Sequence, residues 1–509
     1  MRYTILTIAL LVLTIDCFSQ NKRDYNWLFA AQALPAEGFE GYGFNFNNSD
    51  TLIDYETIIP IRISGLNASI SDKEGNLLFY TNGCDVVNAN HEFMPNGRDL
   101  NSGDYFEMIG QTCSGGYLGK QDIIILPDPS DNQGYFILHK PVIKVDSIPE
   151  LFRELRYSYV DMSSNNGFGD VTIDNIQIAD SLQFMFRYLT AINHSNGKDW
   201  WIIQAIENKE GFFTLLLDEN GFSDSFIQYT DMPFNFLASA SGTAVFSPNG
   251  EQFAYFNKDD NLWLYKFDRS SGLVSNVRRL TLKRNTPNAS PLSSVEFSSD
   301  SRFLYVSVQD SLWQVDTYQE NLETGTELID VWDGTNDPFS TTFLLMALAP
   351  DCRIYMTSGS STNTYHVINN PNVKGAACDF VQRGIQLPYT SSLGNLPNFP
   401  RFRVDEEEKC DPTITSIFGE DIYYRQDLII YPNPAIDQLN IQLPENQSGH
   451  LWIFDMTGSI VFQQKYTASE QQVSVDLHSY PTGTYQVEFI PDDGKVRKVW
   501  TARVVVVDE

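Results

Sequence analysis

The feature that most constrains this chain is a strand-turn-strand unit that returns every 51 residues. Phe246, Phe297 and Leu348 stand 51 apart, and Asn249, Asp300 and Asp351 follow each of them at the same offset. Around the first anchor the pattern is legible in full. A strand over 243–247 runs into Pro248-Asn249-Gly250, where proline presets φ and Asn-Gly accepts positive φ. Phe253 to Phe256 reads as a second strand, and Leu262 to Phe267 alternates as a third. Residues 294–316 and 345–367 repeat the unit; 68–80 carries the same strand, Asp/Gly turn and apolar strand, and 213–221 a weaker form. Successive hairpins make a meander, and a fixed period near 50 in strand-rich sequence predicts a propeller. The expected class is all-β. Tyr25 to Val404 has room for roughly seven blades, although Pro141 to Ile178 fits the repeat poorly.

The flanks read differently. Residues 1–19 have the form of a signal peptide: Arg2, then an apolar run from Ile5 to Ile15, then Cys17-Phe18-Ser19, with cleavage expected before Gln20. Thr14-Ile15-Asp16 ahead of Cys17 makes a poor lipidation signal, and no later segment reads as a membrane helix. Residues 20–404 are the propeller-like domain. Residues 405–425, which open on Asp405-Glu406-Glu407-Glu408, read as a linker. Residues 426–509 hold seven short alternating strands with Gly and Pro turns, expected as a small Greek-key β-sandwich.

Charge narrows the function. Lys and Arg total 34 against 65 Asp and Glu, a net charge of −31, so the chain lacks the cationic surface that nucleic acid or anionic lipid requires. Acidity of this kind keeps an exported protein soluble. Export also permits disulfides, and the short local pairings are Cys84 with Cys113 and Cys352 with Cys378. No Cys-x-x-Cys, His-Glu-x-x-His, Gly-x-Ser-x-Gly elbow or phosphate-binding loop occurs, so the catalytic and cofactor-binding sets are empty. Clustered oxygens in Asp128-Pro129-Ser130-Asp131-Asn132-Gln133-Gly134 could suit calcium, against a plain polar hairpin loop. Asp72, Asp300 and Asp351 sit in turns, where a carboxylate accepts backbone hydrogen bonds. Trp200-Trp201 invites a ligand-stacking role; adjacent strand residues point to opposite faces, so at most one is expected in the core.

The C-terminal unit resembles the type A sorting domain of the type IX secretion system of the Bacteroidota. The resemblance rests on Tyr431-Pro432-Asn433-Pro434, Leu439-Asn440-Ile441, Phe454-Asp455-Met456-Thr457-Gly458 and Tyr480-Pro481-Thr482-Gly483-Thr484-Tyr485. It implies engagement of the type IX machinery and delivery to the cell surface or medium, commonly with removal of the domain. The body is similar to WD-like or YVTN-like propeller regions of gliding-motility-associated surface proteins. Matching stretches include Gly75-Asn76-Leu77-Leu78-Phe79-Tyr80, Gly197-Lys198-Asp199-Trp200-Trp201 and Leu396-Pro397-Asn398-Phe399. The expected function is a non-enzymatic binding or adhesion module for a protein or glycan. Its rivals are a glycan-acting hydrolase or lyase with a carboxylate pair in the channel, and a structural part of adhesion or gliding.

Overall fold

A computed structural model describes residues 21–31, 41–47, 52–55, 59–103, 106–107, 116–117, 119–144, 151–179, 182, 184–206, 211–230, 242–257, 261–282, 293–337, 339–391, 395–411, 424–444, 447–455, 460–491 and 498–507. The expected signal peptide lies outside them. Among the described residues, no helix is long and apolar enough to cross a membrane.

Among the described residues, seven antiparallel sheets of three or four strands form the blades of the body, as the repeat period predicts. Blade 1 holds Asn26–Ala30, Gly41–Asn45 and Leu52–Tyr55; blade 2 holds Ala68–Ser71, Leu77–Thr81 and Val86–Asn88. Blades 3 to 7 have four strands each, with inner strands Ile123–Pro127, Thr190–Asn193, Thr243–Phe246, Ser293–Phe297 and Phe343–Leu348. Phe246, Phe297 and Leu348 therefore end three successive inner strands, and the 51-residue spacing is the blade length. The turn residues act as expected. Asn249, Asp300 and Asp351 each accept the backbone N–H two residues on. Asp72 accepts those of Glu74 and Asn76.

The blades close into a ring through apolar packing between neighbours. Ile192, Trp201 and Phe212 of blade 4 meet Phe246, Phe253 and Tyr265 of blade 5. Blades 5 and 6, and then 6 and 7, share clusters in the same way. Trp27, Phe29 and Phe44 of blade 1 pack on Tyr355 and Tyr365 of blade 7, which completes the circle. The poor fit of 141–178 has a simple cause. A two-stranded hairpin, Val142–Lys144 with Leu151–Arg153, is inserted between the second and third strands of blade 3.

The C-terminal unit forms two sheets, one of five strands and one of three, around a core that includes Leu439, Ile453, Val475 and Tyr485. All seven expected strands are present. An eighth, Tyr424–Asp427, runs parallel to Lys498–Val506. The expected linker is therefore shorter than 405–425. Its last residues are a strand, and its first are packed on the propeller: Asp405 pairs with Arg269 at 2.6 Å and Asp411 N–H donates to Pro350 O.

Candidate functional site

The central channel is where a propeller gathers side chains from every blade, and here the chain returns to fill much of it. Residues 395–404 run down the channel beside the inner strands. Asn398 donates through Nδ2 to Ile123 O and Leu189 O, and its N–H donates to Asn67 O. Three residues further, Arg401 N–H donates to Ala191 O and its Nε to Phe246 O. Pro397 and Pro400 remove two backbone donors that no ladder would satisfy. A cavity of about 90 Å³ remains beside the segment, lined by Gln121, Thr243, Val295, Met346 and Asn398 among others.

Two carboxylates face this cavity, Glu296 and Asp24, and the returning segment engages both. Arg401 pairs with Glu296, whose other oxygen accepts the N–H of Leu348. Arg403 forks onto Asp24, with Nη2 to Oδ2 at 2.7 Å. Both pairs are largely buried, and in each the arginine supplies the geometry that suits a carboxylate. Neither acid is open to a substrate. Sequence reading missed this arrangement. Its one signal was a proline-rich stretch with Arg401 and Arg403 at alternate positions, ending a domain that needed closing.

A second constellation has the spacing of a hydrolase relay without its access. His139 Nδ1 lies 2.6 Å from Asn101 Oδ1, and its Nε2 lies 3.1 Å from Ser158 Oγ. Asn101 Nδ2 donates to Gly83 O, which fixes the amide and places the histidine proton on Nδ1. Ser158 Oγ, within hydrogen-bond distance of Nε2, also donates to Asp174 Oδ1 and accepts Asn175 N–H. Burial, with Arg156 adding to it, lowers His139 to about 3 and keeps the ring neutral. Ser158 and His139 are both fully buried, so the relay knits the strands of blade 3 together rather than meeting a substrate.

The other expected site residues fall as follows. Trp200 and Trp201 are both buried, at 4% exposure each, which corrects the ligand-stacking expectation. A blade is covered by a neighbour on each side, so both faces of its strands are core. Trp200 joins the cluster shared with blade 3 and Trp201 the one shared with blade 5. Their indole N–H groups donate to Pro127 O and Arg269 O. The pairing of Cys352 with Cys378 is also corrected. Cys352 is bonded to Cys410, while Cys378 is a free, buried thiol beside Tyr305. Packing of residues 405–411 under blade 7 carries Cys410 to Cys352. Cys84 is disulfide-bonded, and its expected partner Cys113 lies outside the described residues. In the loop considered for calcium, Asp128 accepts from Ser130 and from Tyr159 Oη, and Asp131 accepts from Gln133 N–H. No cluster of three or more metal-ligating side chains occurs among the described residues.

The motif residues of the C-terminal unit act together. Asn433 Nδ2 donates to Arg503 O and its Oδ1 accepts Val505 N–H, so one side chain staples the last strand. Tyr431 Oη accepts from Gln472. Tyr485 is buried, with its hydroxyl donating to Pro481 O two residues before Gly483 opens the strand Gly483–Pro491. Pro432 and Pro434 follow cis peptide bonds. Asp455 follows the strand Gly449–Phe454, and Gly458 lies outside the described residues. Residues 429–502 match the family described as the secretion system C-terminal sorting domain. The C-terminal unit is a type IX sorting domain. It marks the chain as a substrate of the type IX secretion system, exported to the cell surface or the extracellular space.

No curated protein matches the chain. Solved structures similar to it include a functionally unknown protein from Desulfotomaculum acetoxidans DSM 771, 13% identical, with 70% of this chain and 90% of that one covered and a TM-score of 0.31. A quinonprotein alcohol dehydrogenase-like protein from Bacteroides thetaiotaomicron is 8% identical over 74% of this chain and 77% of its own, with a TM-score of 0.35. A dihydro-heme d1 dehydrogenase is likewise 8% identical, over 90% and 76%, with a TM-score of 0.37. The propeller assignment rests on the seven sheets and their closure.

Proposed function

We propose that this exported propeller is a non-catalytic binding or adhesion module that presents a ligand-binding face outside the cell. The observation that carries the reading is the filled channel. A propeller that hydrolyses or eliminates at its axis needs an open acid and base there. In this chain Glu296 and Asp24 are each held by an arginine of the returning segment. The Ser158–His139–Asn101 relay is sealed within blade 3. What remains for function is the loop surface of a rigid scaffold, where binding groups are usually found. The test is a glycan-array and hydrolysis screen on the purified chain, with and without calcium. Selective binding without released product is the expected result. Released product would overturn the reading and direct mutagenesis to the carboxylates of the channel.

A further inference from the structure

We propose that the Cys352–Cys410 disulfide is a load anchor: it carries tension arriving from the sorting domain into blade 7 and keeps that tension off residues 395–409. The sorting domain is what marks the chain for the type IX machinery, and it lies C-terminal to every residue of the propeller. A pull on it therefore enters the propeller through residues 410 and 411, the points where the chain is attached to blade 7.

Without the disulfide, that pull would meet contacts in single file. Lys409 Nζ donates to Val404 O and Glu406 O, and Arg403 Nε donates to Lys409 O. Glu406 accepts Asn21 N–H, and Asp405, 55% exposed, meets Arg269. Arg403 with Asp24 and Arg401 with Glu296 come next. Tension from the C-terminal end loads these contacts one after another, and exposed pairs are individually weak. Their loss would matter to the ring. Among the described residues each blade is one stretch of sequence, so no strand ties the two ends of the chain together. The bonds of Arg403 to Asp24 and of Glu406 to Asn21 do so instead.

The anchor end is built differently. Cys352 lies in the turn between Phe343–Leu348 and Ile354–Ser358, and Asp411 N–H donates to Pro350 O in the same turn. Ala349 N–H donates to Arg353 O, and Cys352 N–H to Ala349 O. Beneath them sits Asp351, 5% exposed, whose carboxylate accepts Arg353 N–H at 3.1 Å and the Tyr355 hydroxyl at 2.6 Å. Tyr355 is fully buried in the cluster that joins blade 7 to blade 1. Load delivered to Cys352 is shared by the ladder of blade 7 and by that aromatic seam.

Force-clamp tweezers on the full chain test the assignment. One handle is the C-terminus. The other is a short labelling tag inserted at the exposed turn Asn220-Gly221, where a side chain on Gly221 would meet open space. In Cys410→Ser, a step of about 50 Å, the extended length of residues 395–410, should precede loss of any blade. Oxidised wild type should lack that step, and its closed ring should last at least tenfold longer at the same load. Its full unfolding should also fall short by about 200 Å, because the 58 residues inside the disulfide stay looped. A control separates an anchor from a general stabiliser. A disulfide acts largely on the unfolded chain, so its removal should leave lifetimes nearly unchanged when load runs between the Asn220 tag and one at Gln319-Glu320. If Cys410→Ser does not fold, reductant added to tethered, folded wild type carries the test. A short step in oxidised wild type, no step after the disulfide is removed, or equal loss of lifetime in both pulling geometries overturns the anchor.

Discussion

His139 and His366 are both fully buried, and burial, aided by Arg156 and Arg383, holds each at about 3. His366 Nδ1 also accepts the Arg383 N–H. The folded protein therefore leaves them neutral while the unfolded chain protonates them near their ordinary value of about 6.5. Between those values the unfolded state binds more protons, so stability falls as pH drops below about 6.5. Going from pH 7.5 to pH 5 should cost about 2 kcal/mol per histidine. A urea midpoint that does not move over that interval would contradict it. The channel makes the complementary prediction for a buried pair. Arg401→Met leaves Glu296, 5% exposed, without its counter-charge and should destabilise the propeller by about 3–5 kcal/mol. The double variant with Glu296→Gln should recover part of that loss. Equal denaturation curves for the single variant and wild type would show that the pair contributes nothing.

At the scale of elements, residues 395–411 clasp the ring that the blade packing closes. Arg403 ties them to Asp24, Asn21 N–H donates to Glu406, and Cys410 is bonded to Cys352 across 58 residues. Cys410→Ser should lower stability by about 2–4 kcal/mol, read as a shift of the denaturant midpoint that reducing agent reproduces in wild type. No shift in either case would mean that the noncovalent clasp alone suffices. This segment also marks the limit of what the sequence told. Blades 5 to 7 were legible because Phe246, Phe297 and Leu348 recur with their turns, and the sandwich strands because apolar and polar residues alternate. Both are local signals. The contacts of Arg401 with Glu296 and of Cys410 with Cys352 are set by ring closure, which brings together residues that no period relates. Trp200 and Trp201 were misread for a kindred reason. Alternation assumes one wet face, and the strand Trp200–Ala205, between two neighbouring blades, has none.

At the scale of the molecule, the question is where the propeller ends and its export signal begins. The last contact that residues 395–411 make with the blades is Asp411 N–H to Pro350 O, and the sorting domain's first strand starts at Tyr424. Among the described residues, no strand of the seven blades is drawn from beyond that point. A chain stopped after residue 423 should therefore keep the propeller's thermal midpoint within experimental error. It should also fail to leave the cell, accumulating in the periplasm while the full chain reaches the surface or medium. A chain stopped after residue 394 loses Arg401, Arg403 and Cys410 together, and should lose the cooperative transition as well. Fractionation with thermal denaturation separates the two effects, because the first truncation removes an address and the second removes the closure of the fold. Export of the 423 truncation at the wild-type level would show that the sorting domain is dispensable, and a melted propeller in that truncation would move the domain boundary beyond Asp411.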